Sequence, residues 1–547
     1  MSVETTLVLV LAAVAVIVVL HWLGERTGLP AAALLTVFGI AYAVLPGPNI
    51  SLDPDLVLTV VLPPLLYSAA LQSSLLDIRR HLPTVVSLSV VLVLVTAVLI
   101  GVGFSLFVAG ATLAAGIALG AAVAPPDPVA ALAVGRKVGL PPRLITLIQG
   151  EGLLNDATAL TTLTVAVSAA RGEAFSAWSA LGEFVVAAAG GVAVGTLVAY
   201  AVRGVRRWQH DPLTLNAVSL ATPFVAYLLG EKVHVSGVLA VVVAGLIIGH
   251  DTSRSTSGAS RLQTSAVWRL VDYLLEGFVF LLIGQQLPTV ISGLGAYTTS
   301  TIITASVISV GGVLLIRPLW LLLTQSLPRS LRMRLGGGDD DADPTGGRLR
   351  GREIVVLSWA GTRGVISLAA IFTLPRFTDS GAPFPDRDLL LFCTFLVVLV
   401  TLVGQGLTFA PLVRALGLRA DQADQARLRN EARAAAAEAA LARLDDMEAH
   451  EHDTADDPAI TAIRTQLQAR LARYRRRLDV LQHAEAGEIP FSPRYEAAVR
   501  VRRAVIEAQR EELLRRRDAG HLPDEGLRVL ERELDHEEGL LPSPRSE

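Results

Sequence analysis

Three stretches of this chain place acids, an amide and an arginine inside otherwise apolar runs. In APPDPVAALAV, Asp127 lies between Pro126 and Pro128, with Pro125 one residue further back. Proline has no N–H to give a helix and disfavours helix at the residue before it, so the run breaks there. The freed carbonyls, Pro126 among them, then need polar surroundings. An acid beside bare carbonyl oxygens is a candidate ion site; a plain proline kink is the alternative. In GEGLLNDATAL, Glu151 and Asn155 share one helical stripe that continues to Thr158, while Gly152 and Asp156 form the next stripe. Glu151 and Asp156 therefore point about 140° apart, which assigns them different tasks: one paired with a cationic side chain, one open to a cavity. In SWAGTRGVISLAA, Arg363 stands between Gly361 and Gly364. A buried arginine keeps its charge and needs a partner, and Glu151 is the candidate for a structural ion pair, a substrate-binding arginine being the alternative. A fourth stretch, VDYLLEGFVFLLIG, puts Asp272 and Glu276 four residues apart. Glu276 is the deeper of the two, a candidate for lining a cation funnel or else a helix-end acid with no special role. Carboxylate, amide and carbonyl oxygens are what a hard cation such as Na⁺ takes as ligands.

The elements that must position these groups are membrane helices. Of 547 residues, 52% are hydrophobic and 18% charged, and the mean hydropathy is +0.51; a soluble fold could not cover so apolar a core. About 20 apolar residues span a bilayer core. Thirteen such runs are expected, near 4–23, 29–46, 55–72, 83–108, 111–135, 143–169, 177–202, 213–230, 233–249, 266–287, 297–323, 354–375 and 389–413, with Pro223 interrupting the eighth. The N-terminal run has no basic flank and reads as a retained helix rather than a removed signal. A charge at bilayer depth costs at least about 2.5–3.5 kcal/mol, so the acids and arginine above each need a reason.

Loop charge gives orientation. The odd-numbered connections carry seventeen Lys and Arg, and the others carry four: Arg171, Lys232, Arg376 and Arg387. Basic residues accumulate on the cytoplasmic side, so the N-terminus is expected outside and the C-terminal tail inside. The broken fifth and twelfth runs are seven apart, an odd number, as in an inverted repeat with two crossed discontinuous helices around a central ion site.

Residues 1–416 hold 48 of the 97 Asp, Glu, Lys and Arg; the 131 residues of 417–547 hold 49. The chain thus divides into a membrane domain, 1–416, and a helical cytoplasmic tail, 417–547, with breaks expected near Pro458, Pro490 and Pro523. The segment GGGDDDADPTGGR, 336–348, reads as a flexible loop. A single cysteine, Cys393, excludes a disulfide framework and a thiolate metal cluster. A net charge of −3 argues against nucleic acid as a partner. No phosphate loop, metal-ligand cluster or catalytic triad is present, so neither an enzyme nor a cofactor is expected.

PPDPVA, GEGLLNDATAL and SWAGTRGVISLAAI, in that order, together with LPPLLY and VSGVLAVVVAGLIIG, resemble the monovalent cation:proton antiporter-1 family, the sodium/proton exchangers, over nearly the whole chain. The resemblance implies a homodimer in the cell membrane, with a dimerisation domain and a mobile six-helix core. It implies that Asp156 carries either Na⁺ (or Li⁺ or K⁺) or a proton, that Asn155 is its neighbour, and that Asp127 and the Pro126 backbone complete the site. An Asn-Asp pair implies electroneutral exchange. Three positions depart from some relatives: Pro126 replaces a threonine, Gly152 a serine and Ser68 a glutamate. A cation channel or a sodium-coupled solute symporter are the rival functions, separable by current without proton movement and by dependence on an organic solute.

Overall fold

The computed structural model describes residues 3–45, 53–171, 177–209, 211–255, 257–326, 349–379, 381–418, 422–450, 458–482, 493–519 and 521–539. These form two compact units, Met1–Arg419 and Ala420–Glu547. The expected loop 336–348 and the expected break at Pro490 lie outside the described residues.

The regular structure of the first unit is helical, with one isolated bridge between Phe377 and Pro383 among the described residues. Its main helices are α1 (Val3–Thr27), α2 (Ala31–Val44), α3 (Pro54–Leu71), α4 (Leu82–Phe107), α5 (Leu113–Val123), α6 (Pro128–Val138), α7 (Pro142–Arg171), α8 (Ala177–Trp208), α9 (Pro212–Lys232), α10 (Gly237–Ser255), α11 (Gly258–Gln285), α12 (Thr299–Ser326), α13 (Gly351–Trp359), α14 (Val365–Phe372) and α15 (Arg387–Ala415). Among the described residues nine helical spans are long and apolar enough to cross a membrane; Ala31–Val44 and Gly237–Thr252 are apolar but shorter.

Local chemistry sets several of these boundaries. Asp127, Asp211 and Ser257 each cap a helix by accepting a backbone N–H, the first two with proline at the next position, where no donor is lost. Gly139 ends α6 at φ 79°, a left-handed conformation that favours glycine. By contrast, α9 runs unbroken through Pro223, which is buried. One missing ladder bond does not end a helix whose two halves are held by packed neighbours.

The core around the two interruptions is dense. Phe104, Leu119, Leu368, Leu390 and Phe395, from α4, α5, α14 and α15, are all at most 2% exposed. Close approach of α4 and α5 depends on glycine: a Cβ on Gly116 would lie 2.7 Å from the carbonyl oxygen of Gly101.

The second unit contains α16 (Gln422–His450), α17 (Pro458–Gln482), α18 (Pro493–Asp518) and α19 (Asp524–Gly539). α16 and α17 pack through Ala434, Ala437 and Leu471. Arg464 bonds Asp445 at 2.6 Å and Glu448 at 2.8 Å, and Arg510 bonds Asp535 at 2.7 Å and Glu538 at 2.9 Å. These carboxylates hold both guanidiniums protonated more firmly than usual.

Candidate functional site

The proline-rich stretch breaks its helix between α5 and α6, at 124–127, and the glycine-flanked arginine breaks its own between α13 and α14, at 360–364. The two interruptions are bonded to each other. The Asp127 amide donates to the Thr362 carbonyl at 2.6 Å, and the Thr362 hydroxyl donates to the Asp127 carbonyl at 2.8 Å. Backbone groups that would otherwise be orphaned in an apolar interior thus satisfy one another.

Arg363 completes this seam. Its Nε donates to the Val123 carbonyl at 2.9 Å, Nη2 to that of Ala124 at 3.1 Å, and Nη1 to that of Gly361. Its amide donates at 3.0 Å to Thr401, which lies in a π-helical turn of α15 at Val400–Gln405. A guanidinium offers five donors in a fixed fork, and here they take up the carbonyls released at both breaks.

The expected Glu151–Arg363 pair is therefore corrected. Glu151 pairs with Arg317 of α12: Nη2 donates to Oε2 at 2.8 Å and Nη1 to Oε1, in a bidentate fork. Arg317 Nε also donates to the Leu357 carbonyl at 2.8 Å, at the end of α13. The side chains are 2% and 4% exposed, so water screens neither charge. Arg363 is close enough to sense both members electrostatically, but its hydrogen-bonding capacity is engaged elsewhere. Arg317 escapes a reading of motifs because it lies in VGGVLLIRPLW, an apolar run with no second polar residue. Its signal is energetic: an arginine at that depth requires a buried acid.

One helical turn beyond Glu151, on α7, Asn155 donates through Nδ2 to the Pro126 carbonyl at 2.8 Å. Facing a carbonyl, the amide can present only its nitrogen, so Oδ1 is turned away, and it has no hydrogen-bond partner among the described residues although Asn155 is fully buried. Asp156 is 3% exposed and lies within electrostatic reach of Asp127. Asp127 is half-buried, with Oδ1 accepting the Val129 amide at 3.0 Å. Its other oxygen faces Gly364, where a Cβ would collide with it and come within 2.7 Å of Cγ. Gly152 is likewise confined, since a Cβ there would lie 2.7 Å from Cδ of Pro128. A serine at that position would have no room against this proline ring.

On α11, Glu276 is half-buried and electrostatically coupled to both Asp272 and Asp127. Ser68, on α3, donates to Asp272 Oδ2 at 2.5 Å, and Gln72 donates to Ser68 at 3.1 Å. The hydroxyl at position 68 thus serves an acid on the neighbouring helix. The structure brings Asp127, Asn155, Asp156 and the Pro126 carbonyl together, with Glu276 at the margin, and gathers Glu151 with Arg317 in a separate pair. No group of three or more His, Cys, Asp or Glu with metal-binding geometry occurs among the described residues.

Residues 9–415 match the sodium/hydrogen exchanger transmembrane family. An uncharacterized Na(+)/H(+) exchanger of Mycobacterium tuberculosis is 33% identical over 544 residues, covering 98% of this chain and 96% of the relative. An uncharacterized Na(+)/H(+) exchanger of Escherichia coli K12 is 30% identical over 518 residues, covering 90% and 91%. The sodium proton antiporter MjNhaP1 from Methanocaldococcus jannaschii shares the fold at a TM-score of 0.59 and 19% identity, covering 76% of this chain and 99% of that one.

Proposed function

Since the chain belongs to the sodium/hydrogen exchanger family, we propose that it exchanges a monovalent cation, Na⁺ foremost, for a proton by alternating access in the cell membrane. Family membership also sets aside the channel and the solute symporter. Asp156 is the carrier: its carboxylate takes either the cation or a proton. Competition for one group couples the two fluxes, and an empty, charged site that crosses poorly makes the exchange obligatory. Asn155 Oδ1, Asp127 and backbone carbonyls at the 124–127 break supply further oxygens for the cation. The observation that carries this assignment is the Asn155 bond to Pro126, which anchors the Asn-Asp pair of α7 against the break that holds Asp127. Glu151 with Arg317 is a structural pair, and Glu276 with Asp272 lines the cation's approach.

The topology that fits is thirteen crossings with the N-terminus outside and the tail cytoplasmic. The two interrupted crossings are equivalent members of an inverted repeat, and the active form is a homodimer. One cation for one proton follows from the single carrier acid beside an asparagine. The decisive measurement is proton movement in proteoliposomes driven by Na⁺, Li⁺ or K⁺ gradients. Asp156→Asn abolishes cation-dependent proton flux while the protein still inserts and purifies as a folded species; normal exchange by that variant would overturn the assignment.

A further inference from the structure

A second polar site lies away from the paired interruptions, where the ends of α3, α8, α10 and α11 meet the start of α9. A cavity of about 330 Å³ opens there, and three arginines line it: Arg206 of α8 and Arg261 and Arg269 of α11. Ser260 and Thr264 share the wall, the Thr264 hydroxyl donating to Asn216 Oδ1 at 2.6 Å, and among the described residues no carboxylate belongs to it. The acids on the adjoining segments are already engaged, Asp251 with Arg203 at 3.0 Å and Asp272 with Ser68. Ser260 is 1% exposed, and its hydroxyl oxygen has no hydrogen-bond partner among the described residues. A buried hydroxyl left unpaired is costly unless a ligand takes it up. Among the described residues Arg206 donates to the Thr252 hydroxyl at 3.0 Å, and Asp251, held by Arg203, is near enough to act on its charge.

The paired N–H donors of clustered guanidiniums, with the Ser260 hydroxyl beside them, match the several oxygens of a tetrahedral phosphate. Trp268 closes the floor, fixed by a 3.0 Å bond from its indole N–H to Ser219 and by its contact with the Tyr67 ring. Leu213, Leu262 and Leu270, sequence neighbours of lining residues, are 69%, 64% and 60% exposed, as suits helices whose outer surface is bathed in hydrocarbon rather than water. Three arginines near the ends of such helices are placed as lipid-head-group sites are.

We propose that this cavity binds the phosphate of an anionic phospholipid, held by Arg206, Arg261 and Arg269. The inference goes beyond cation exchange and is read without a transport assay. The test uses the delipidated full-length protein in detergent, with thermal unfolding followed against phosphatidylglycerol, phosphatidylcholine and inorganic phosphate, and with retained lipid counted by native mass spectrometry. Phosphatidylglycerol is expected to raise the unfolding midpoint and phosphatidylcholine to leave it unchanged. R261Q and R269Q should each weaken the apparent lipid affinity about fivefold, and more together. R80Q, an exposed arginine outside the cavity, should not. The single variants keep the test readable should the double variant fail to fold. An identical phosphatidylglycerol response in wild type, R261Q and R269Q overturns the proposal. Stabilisation by inorganic phosphate with none from phosphatidylglycerol overturns the lipid assignment in favour of a soluble ligand.

Discussion

Replacing Arg317 by methionine tests which arginine Glu151 depends on. The pair is bidentate, and both side chains are at most 4% exposed, so the interaction has the full character of a buried ion pair. Removing one member strands a charge, at about 3–5 kcal/mol. Arg363, near enough to feel the Glu151 charge, relieves part of that, placing R317M toward the lower end. Removing both charges in E151Q/R317M eliminates the stranded acid, and buried pairs replaced by neutral groups are often near neutral in stability. The double variant should therefore unfold at a higher temperature than R317M alone. Thermal unfolding of the full-length protein, with E151Q, R317M, R363M and the two double variants, yields two coupling energies. Glu151–Arg317 should couple by several kcal/mol and Glu151–Arg363 by less than about 1 kcal/mol. Equal coupling, or stronger coupling to Arg363, would refute the pairing and restore the one expected from the motifs.

Two further substitutions probe the site. Gly364→Ala puts a Cβ against the Asp127 carboxylate. The carboxylate must move by about 1 Å or more, enough to lower cation-driven proton flux about tenfold, since functional sites tolerate roughly 0.5 Å of misplacement; unchanged flux would show that Asp127 is not held at a required position. Asn155→Ala leaves the Pro126 carbonyl unpaired, at a cost of about 1–3 kcal/mol. It should lower both the unfolding midpoint and the apparent cation affinity, and a change in stability alone would remove Asn155 from the ion shell.

The breaks in two helices were legible in the sequence because proline and glycine act locally: Pro125, Pro126 and Pro128 remove donors, and Gly361 and Gly364 flank the second gap. Helical spacing likewise placed Glu151 and Asp156 on different faces of α7, and the structure sends one to Arg317 and the other toward Asp127. The identity of the partner was not legible, since pairing across 166 residues depends on how α7, α12 and α13 pack, which no local pattern encodes. Arg363 stands in a conspicuous motif, yet its fork is used by backbone carbonyls; Arg317 stands in a featureless run and holds the acid. The role of Gly152 was equally hidden, because the obstacle to a side chain there is a proline ring from another helix.

The seam between the two interruptions bears on how a transport stroke can be made. Asp127, Thr362 and Arg363 stitch the gaps together in both directions, and hydrogen bonds from a charged donor contribute about 1.5–3 kcal/mol each. Prying the gaps apart would break all of these at once in an environment that offers no replacement partners. Under the proposed exchange, the oxygens assigned to the cation therefore ride as cargo on a stiff keel: the site would tilt or lift as a piece, with exposure to either side coming from sliding at its outer flanks.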